Sequence, residues 1–283
     1  MRFVTFDRGD GVPRPGILLD GDVYDLSASG FASMLDVIEQ NGNGLKSARS
    51  AQEAQFETIP LAKLRLLAPI LRPPRIFGIG LNYAEHAAES QMKVQSVPTV
   101  FMKLSSSVVG PDADVILPKN STQPDYEAEL GVVISKPGYR IKASEWEGYV
   151  FGYTIVNDVS ARDVQLATSQ WTLGKSFPSF TPLGPSIVTK DEIPDPHSLD
   201  ISLTLDGEVM QSSNTRHLIF RIPQLIEYIS SLTPLEVGDV ISTGTPPGVG
   251  LGRTPPRWLR ANEEMIVRID GLGELRNRTR AES

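Results

Sequence analysis

The sequence predicts a strand-rich α+β fold, and three observations lead there. Short apolar runs recur between closely spaced turns, in a chain of 283 residues that carries 24 Gly and 22 Pro, more helix breakers than a bundle tolerates. An Asp206-Gly207 pair separates the runs 201–205 and 208–210, the signature of a type I′ hairpin. Helical spacing occurs in isolated segments, without the regular strand–helix alternation of a doubly wound parallel sheet.

Taken in order, residues 1–6 alternate as a strand, and 17–19 and 23–26 flank an Asp20-Gly21-Asp22 turn. Residues 31–39 carry apolar side chains at helical spacing, and the polar stretch 41–57 reads as a loop or frayed helix. Pro69, Pro73 and Pro74 then interrupt the chain. Each disfavours helix in the residue before it, so a boundary is expected there between a small N-terminal α+β domain, 1–70, and a larger domain, 71–283. A late helix is expected over 223–232, with Pro223 tolerated in its first turn.

Composition removes several classes of function. The chain holds 27 Lys+Arg against 34 Asp+Glu, a net charge of -7, with no basic run, so no nucleic-acid surface is expected. It has no cysteine, which excludes disulfides, thiolate nucleophiles and Cys-ligated zinc. No stretch approaches the roughly 18 apolar residues of a membrane span, and the first residues lack a signal peptide's apolar core. A cytoplasmic protein without a membrane partner is the expectation.

Three motifs fail on context. Gly248-Val249-Gly250-Leu251-Gly252 imitates a dinucleotide fingerprint, but Pro255 and Pro256 stand where the phosphate-binding helix would begin. Gly174-Lys175-Ser176 imitates the end of a P-loop, yet Ser169 fills the first glycine position and Pro178 and Pro182 interrupt any helix. No Gly-x-Ser-x-Gly elbow occurs.

A set of carboxylates remains. Glu127 and Glu129 precede the apolar run 130–134, and alternation along a strand puts them on one face. That spacing also describes a solvated edge strand. Asp158 ends the apolar run 154–156 just before Ser160 and the helical-looking stretch 161–169, where it could equally cap the helix. Three acids at the ends of apolar strands suit a hard cation, Mg²⁺, Mn²⁺ or Ca²⁺, better than zinc. Upstream, Asn82 with Glu85 makes a capping-box pattern that opens a short helix near Tyr83. His86 and Glu89 then share a helix face, as a general base and its orienting carboxylate do, and as an exposed surface pair also does. Of the 3 histidines, His197 sits in a Pro-Asp-Pro loop and His217 beside Arg216, which leaves His86 as the candidate base.

Five blocks in this order, Asn82-Tyr83-x-x-His86-x-x-Glu89, Asp125-Tyr126-Glu127-Ala128-Glu129-Leu130, Asn157-Asp158-Val159-Ser160-Ala161-Arg162-Asp163, Gly174-Lys175-Ser176 and Ser242-Thr243-Gly244-Thr245-Pro246, resemble the fumarylacetoacetate hydrolase family from about residue 74 to 280. The resemblance implies a mixed β-roll catalytic domain behind a smaller N-terminal domain, usually in a homodimer. It implies Glu127, Glu129 and Asp158 as metal ligands, with Asp125 a neighbour. It further implies His86 and Glu89 as a dyad on a lid helix that orders with substrate, Lys175 beside the reacting oxygen, and Arg162, Gln165, Thr245 and Lys103 as substrate contacts.

The branch it resembles includes acylpyruvate and 2,4-diketo-3-deoxy-L-fuconate hydrolases, oxaloacetate decarboxylases and hydroxyheptadienedioate isomerases. The expected reaction is therefore Mg²⁺- or Mn²⁺-dependent hydrolysis of the C3–C4 bond of a small 2,4-diketo acid to pyruvate and a carboxylic acid. Decarboxylation of oxaloacetate and 2-oxo acid tautomerisation are the enzymatic alternatives, since both use the same enolate. A metal-dependent binding protein without catalysis is the alternative of another class, and it would not need the dyad.

Overall fold

Twelve strands form one mixed sheet in the computed structural model, which describes residues 1–40 and 58–283. The stretch 41–57, expected as a loop or frayed helix, lies outside the described residues. The sheet runs from Thr58–Pro60 through Asp22–Asp25, Arg14–Leu19, Arg2–Asp7, Thr181–Thr189, Val150–Asn157, Ala128–Ile134, Val240–Ser242 and Ile76–Gly80 to Thr99–Lys103. Most neighbours are antiparallel, while Val240–Ser242 and Ile76–Gly80 run parallel. A second, five-stranded sheet takes the order Glu208–Asn214, Asp200–Leu205, Glu264–Ile269, Gly273–Ala281, Asp114–Leu117. This is the strand-rich α+β class expected from the sequence.

The turn chemistry acts as its residues dictate. Asp20 and Gly21 take φ of 52° and 89°, and Asp206 and Gly207 take 49° and 83°, the positive pair a type I′ turn demands. The first helix is shorter than its apolar spacing suggests, Met34–Glu39, because Ser33 caps it: Ser33 Oγ accepts the Asp36 N–H, and the Asp36 carboxylate accepts the Ser33 N–H. The late helix spans Ile222–Leu232 with Pro223 in its first turn. The helical stretch expected over 161–169 is a single turn, Arg162–Gln165. Arg162 and Gln165 are buried and Leu166 is already exposed, so one turn is all that has a face to bury.

The sheet crosses the boundary expected near residue 70. Arg2–Asp7 pairs antiparallel with Thr181–Thr189, Phe3 opposite Ile187, while its N-terminal partner Arg14–Leu19 lies on the other side.

Covering layers lie on both faces of the central strands. Leu130, Val132 and Ile134 pack with Ile201, Leu203, Val267 and Ile269 of the second sheet and with Leu225, Ile226 and Ile229 of the late helix. The alternate residue Val133 packs on the opposite face with Phe3, Phe151, Ile187 and the first helix's Met34, Val37 and Ile38. A strand covered on both faces reads as a continuous apolar run, which explains 130–134 and means that polar side chains at its end are enclosed. Among the described residues no helix is long and apolar enough to cross a membrane.

His197 joins the late helix to this core. Its Nε2 accepts the Ile222 N–H at 3.2 Å, and its ring meets Trp146 edge-on at 5.9 Å between centroids. Burial lowers its pKa, against the pull of Asp195, and protonating Nε2 would set two donors face to face. The unfolded chain therefore takes up this proton first, so stability is complete above the ordinary histidine value near 6.5 and falls as pH drops below it. His197→Gln is expected to flatten the pH dependence of urea-unfolding free energy between about pH 7 and 5; an unchanged slope would show that His197 is not the group responsible.

Candidate active site

Strand register assembles the carboxylates. Ala128 pairs with Asn157 across the Ala128–Ile134/Val150–Asn157 ladder, which sets Glu127 beside Asp158 although 30 residues lie between them. The junction is locked by two further bonds: Asn157 Oδ1 accepts the Glu127 N–H at 3.0 Å, and the Asp158 N–H donates to the Glu127 carbonyl at 2.8 Å. Glu129 returns to the same face two residues later. One carboxylate oxygen from each of Glu127, Glu129 and Asp158 lies within 4.8 Å of the others, and all three residues are buried.

Cations hold this cluster unevenly. Lys175 Nζ donates to Glu127 Oε2 at 2.5 Å and Asp158 Oδ2 at 2.8 Å. Arg162 bridges Asp125 Oδ2 at 2.9 Å and Glu127 Oε1 at 2.6 Å. Burial acts to raise the Glu127 pKa, but Arg162 and Lys175 outweigh it and hold the group well below the usual carboxylate range. Burial likewise works against the charge on Lys175, yet Asp158 and Glu127 keep its pKa above the ordinary lysine value. Glu129 has dipoles instead, accepting from Ser242 Oγ at 2.6 Å and the Gly244 N–H at 2.9 Å. Burial and its neighbours Asp158 and Glu127 push its pKa well above normal.

The donor set fits a hard divalent cation. Asp125, Glu127, Glu129 and Asp158 face Lys103, Lys175 and Arg162, so with all four carboxylates ionised the cluster would carry one negative charge in excess, and that repulsion falls on Glu129. A bound Mg²⁺ or Mn²⁺ would reverse that balance with ligands of the type it prefers.

A narrow cleft adjoins the cluster, lined by Glu127, Glu129, Lys175, His86, Phe101 and Trp171 among others. His86 lies on the helix Ala84–Glu89, with Nδ1 2.9 Å from Glu89 Oε1. Glu89 also accepts the Gly248 N–H, at 3.1 Å and 2.9 Å to its two oxygens. A carboxylate is an acceptor, so Nδ1 carries the hydrogen and Nε2 keeps its lone pair.

The remaining expected residues take unequal positions. Arg162, Gln165 and Thr245 line the cleft, but the Arg162 guanidinium is engaged by Asp125 and Glu127, and the Thr245 hydroxyl donates its proton to the Ala128 carbonyl at 3.0 Å. Lys103 is not on the cleft wall. It is buried beneath Asp158, donating to Oδ1 at 2.5 Å and to the Val159 and Lys175 carbonyls, while burial pulls its pKa below the ordinary lysine value against the attraction of Asp158. Asn82 does not cap the helix. Tyr83 occupies the cap position without a side-chain bond, and Asn82 Nδ2 instead donates to the Phe220 and Thr243 carbonyls at 3.0 Å and 2.7 Å. Nor does Asp158 cap the turn at Arg162–Gln165.

Sequence reasoning assigned nothing to Gln211, which comes from the second sheet. Its Oε1 accepts the Ala128 N–H at 2.9 Å, and its Nε2 donates to Thr245 Oγ1 and the Pro246 carbonyl, both at 2.8 Å. A single glutamine on a hairpin carries no local signal of that role.

Three buried carboxylates close enough to hold a metal ion stand beside a histidine oriented by a fourth. The chain belongs to the fumarylacetoacetate hydrolase family: residues 75–280 match the family region described as Fumarylacetoacetate (FAA) hydrolase C-terminal. It is 44% identical over 286 residues to the mitochondrial oxaloacetate tautomerase Fahd2a of Rattus norvegicus, covering 98% of this chain and 91% of the relative. Among solved structures it resembles fumarylacetoacetate hydrolase from Exiguobacterium antarcticum, with a TM-score of 0.89 at 35% identity over 100% of both chains. It also resembles maleylpyruvate hydrolase from Sphingobium sp. SYK-6, solved with manganese(II) and pyruvate, with a TM-score of 0.85 at 29% identity over 100% of both chains.

Replacing Glu127, Glu129 or Asp158 by Ala is expected to lower Mn²⁺ affinity at least about tenfold, given that ligand loss exceeds the 10–100-fold effects of outer-shell changes. Titration calorimetry on folded variants is the check, and wild-type affinity in all three would rule the triad out as ligands.

Proposed function

We propose that this protein is a divalent-cation-dependent tautomerase that interconverts the keto and enol forms of a small 2-oxo dicarboxylate of the oxaloacetate type. The observation that carries the reading is the 2.9 Å contact between His86 Nδ1 and Glu89, which leaves a basic Nε2 on a histidine sharing its cleft with Glu127, Glu129 and Lys175. Hydrolysis stood first on sequence alone. The 44% identity over nearly the whole chain to an oxaloacetate tautomerase moves tautomerisation ahead of it.

Glu127, Glu129 and Asp158 would hold the cation, whose chemistry when bound is polarisation of a 2-oxo group. His86 Nε2 takes the proton from C3 of the keto acid, and Glu89 steadies the imidazolium that results. The C3–H bond breaks, a C2=C3 double bond forms, the 2-oxo oxygen takes a proton from solvent and His86 releases its own to solvent, so the net change is one proton moved from C3 to oxygen. In the reverse direction that oxygen loses its proton and His86 returns one to C3. Lys175, kept charged by Asp158 and Glu127, offsets negative charge building on the oxygen. The route needs no attacking water and no leaving group.

Hydrolysis of a 2,4-diketo acid is the second reading, favoured by the likeness to maleylpyruvate hydrolase. The same dyad would deprotonate water rather than carbon.

The test is the rate of oxaloacetate enol decay above the buffer rate with Mg²⁺ or Mn²⁺, beside pyruvate release from acetylpyruvate and CO₂ release from oxaloacetate. Tautomerisation is expected to have the highest kcat/KM, and His86→Ala and Glu89→Ala are expected to lower it about 10²–10⁴-fold with little change in metal affinity. Faster pyruvate release from acetylpyruvate would replace the proposal by hydrolysis, and dominant CO₂ release would replace it by decarboxylation.

A further inference from the structure

The glycine run Gly248-Val249-Gly250-Leu251-Gly252 opens no long helix of the kind a dinucleotide site needs, yet its backbone makes specific bonds. Gly248 donates its N–H to both oxygens of Glu89, and its carbonyl accepts from Tyr126 Oη at 3.1 Å. Two residues on, the Gly250 and Leu251 N–H groups donate to the two oxygens of Asp125 at 2.7 Å and 3.0 Å. Asp125 in turn holds Arg162, which holds Glu127. The loop thus receives one carboxylate from the dyad and one from the border of the metal centre.

Glu89 needs outside support. It is the last residue of a six-residue helix, where the helix dipole disfavours negative charge. The close approach is possible because of what residues 248 and 252 lack. At Gly248, φ is +105° and a Cβ would stand 2.1 Å from the Met210 carbonyl oxygen, so backbone itself forbids a side chain. Gly252 differs: its φ is outside the left-handed region, and a Cβ there would meet the Glu89 side chain, 2.6 Å from both Cδ and Oε2.

We propose that the Gly248–Gly252 loop is a carboxylate cradle that positions Glu89 against His86, with Gly252 a positioning residue whose missing side chain leaves the space Glu89 occupies. The inference rests on the reading of His86 and Glu89 as the base, and it makes Gly252→Ala a variant that displaces a flexible carboxylate while sparing the backbone.

Three variants test it, Gly252→Ala, Glu89→Ala and the double variant, each checked for Mn²⁺ affinity and thermal melting. A displacement of about 1 Å in a catalytic group can cost about 10²-fold, so Gly252→Ala is expected to lose that much kcat, with KM and Mn²⁺ affinity within about twofold of wild type. The double variant is expected to be no slower than Glu89→Ala, because both changes disable one device. A structural defect would instead add to the loss.

NMR supplies readings independent of turnover. With 3 histidines in the chain, the His86 Nδ1–H resonance is assignable; it should be visible in wild type and lost in Gly252→Ala and Glu89→Ala. Exchange of the Gly248 amide hydrogen should quicken in Glu89→Ala, a reading that does not depend on Gly252→Ala folding. Wild-type kcat in Gly252→Ala with an intact His86 resonance, or an unaltered Gly248 exchange rate in Glu89→Ala, would overturn the cradle. Full activity in Glu89→Ala would overturn the base assignment instead, with the cradle still decided by the two NMR readings.

Discussion

Asp125, Glu127, Glu129 and Asp158 lose their hydration together at the end of one strand pair, all buried, and removing an ion from water costs several kcal/mol even after relaxation. The rest of the architecture answers that cost. Lys103, Lys175 and Arg162 reach the cluster from three other segments, and the Ser242 hydroxyl and Gly244 N–H serve Glu129. The compensation stops one charge short. With every carboxylate ionised the cluster is one negative charge in excess, and a divalent cation held by Glu127, Glu129 and Asp158 would relieve the repulsion that falls on Glu129.

Burial of that kind requires a strand with no solvent face. Ala128–Ile134 is covered by the second sheet and late helix on one side and by the N-terminal strands and first helix on the other. None of the described residues of the N-terminal segment lines the cleft. Its strands extend the sheet and its helix covers one face of it.

His86 and Glu89 are tied to the carboxylate cluster through the glycine loop. Glu89, Gly248, Tyr126, Asp125, Arg162 and Glu127 form one continuous chain of hydrogen bonds and ion pairs. A shift in the glycine loop would therefore be felt at both Glu89 and Glu127. Gln211 works similarly from the second sheet, clamping Ala128, which stands between the two glutamates, to the Thr245 loop.

Features governed by neighbours along the chain were legible in the sequence. Period-two spacing put Glu127 and Glu129 on one face, i,i+3 spacing put His86 beside Glu89, and Asp-Gly pairs formed the turns they encode, because each follows from local backbone geometry. Local rules failed where a distant partner offered more. Asn82 has a capping residue's chemistry but bonds to Phe220 and Thr243; Asp158 could have capped a turn but pairs with two lysines; Lys103 lies behind a ligand rather than on the cleft. Nothing near Gly252 in the chain foretells Glu89 against its backbone. Hydrogen-bond partners far apart in the chain leave no periodicity to read, so only tertiary structure decided which polar groups meet, while the sequence by itself determined which groups were available to meet.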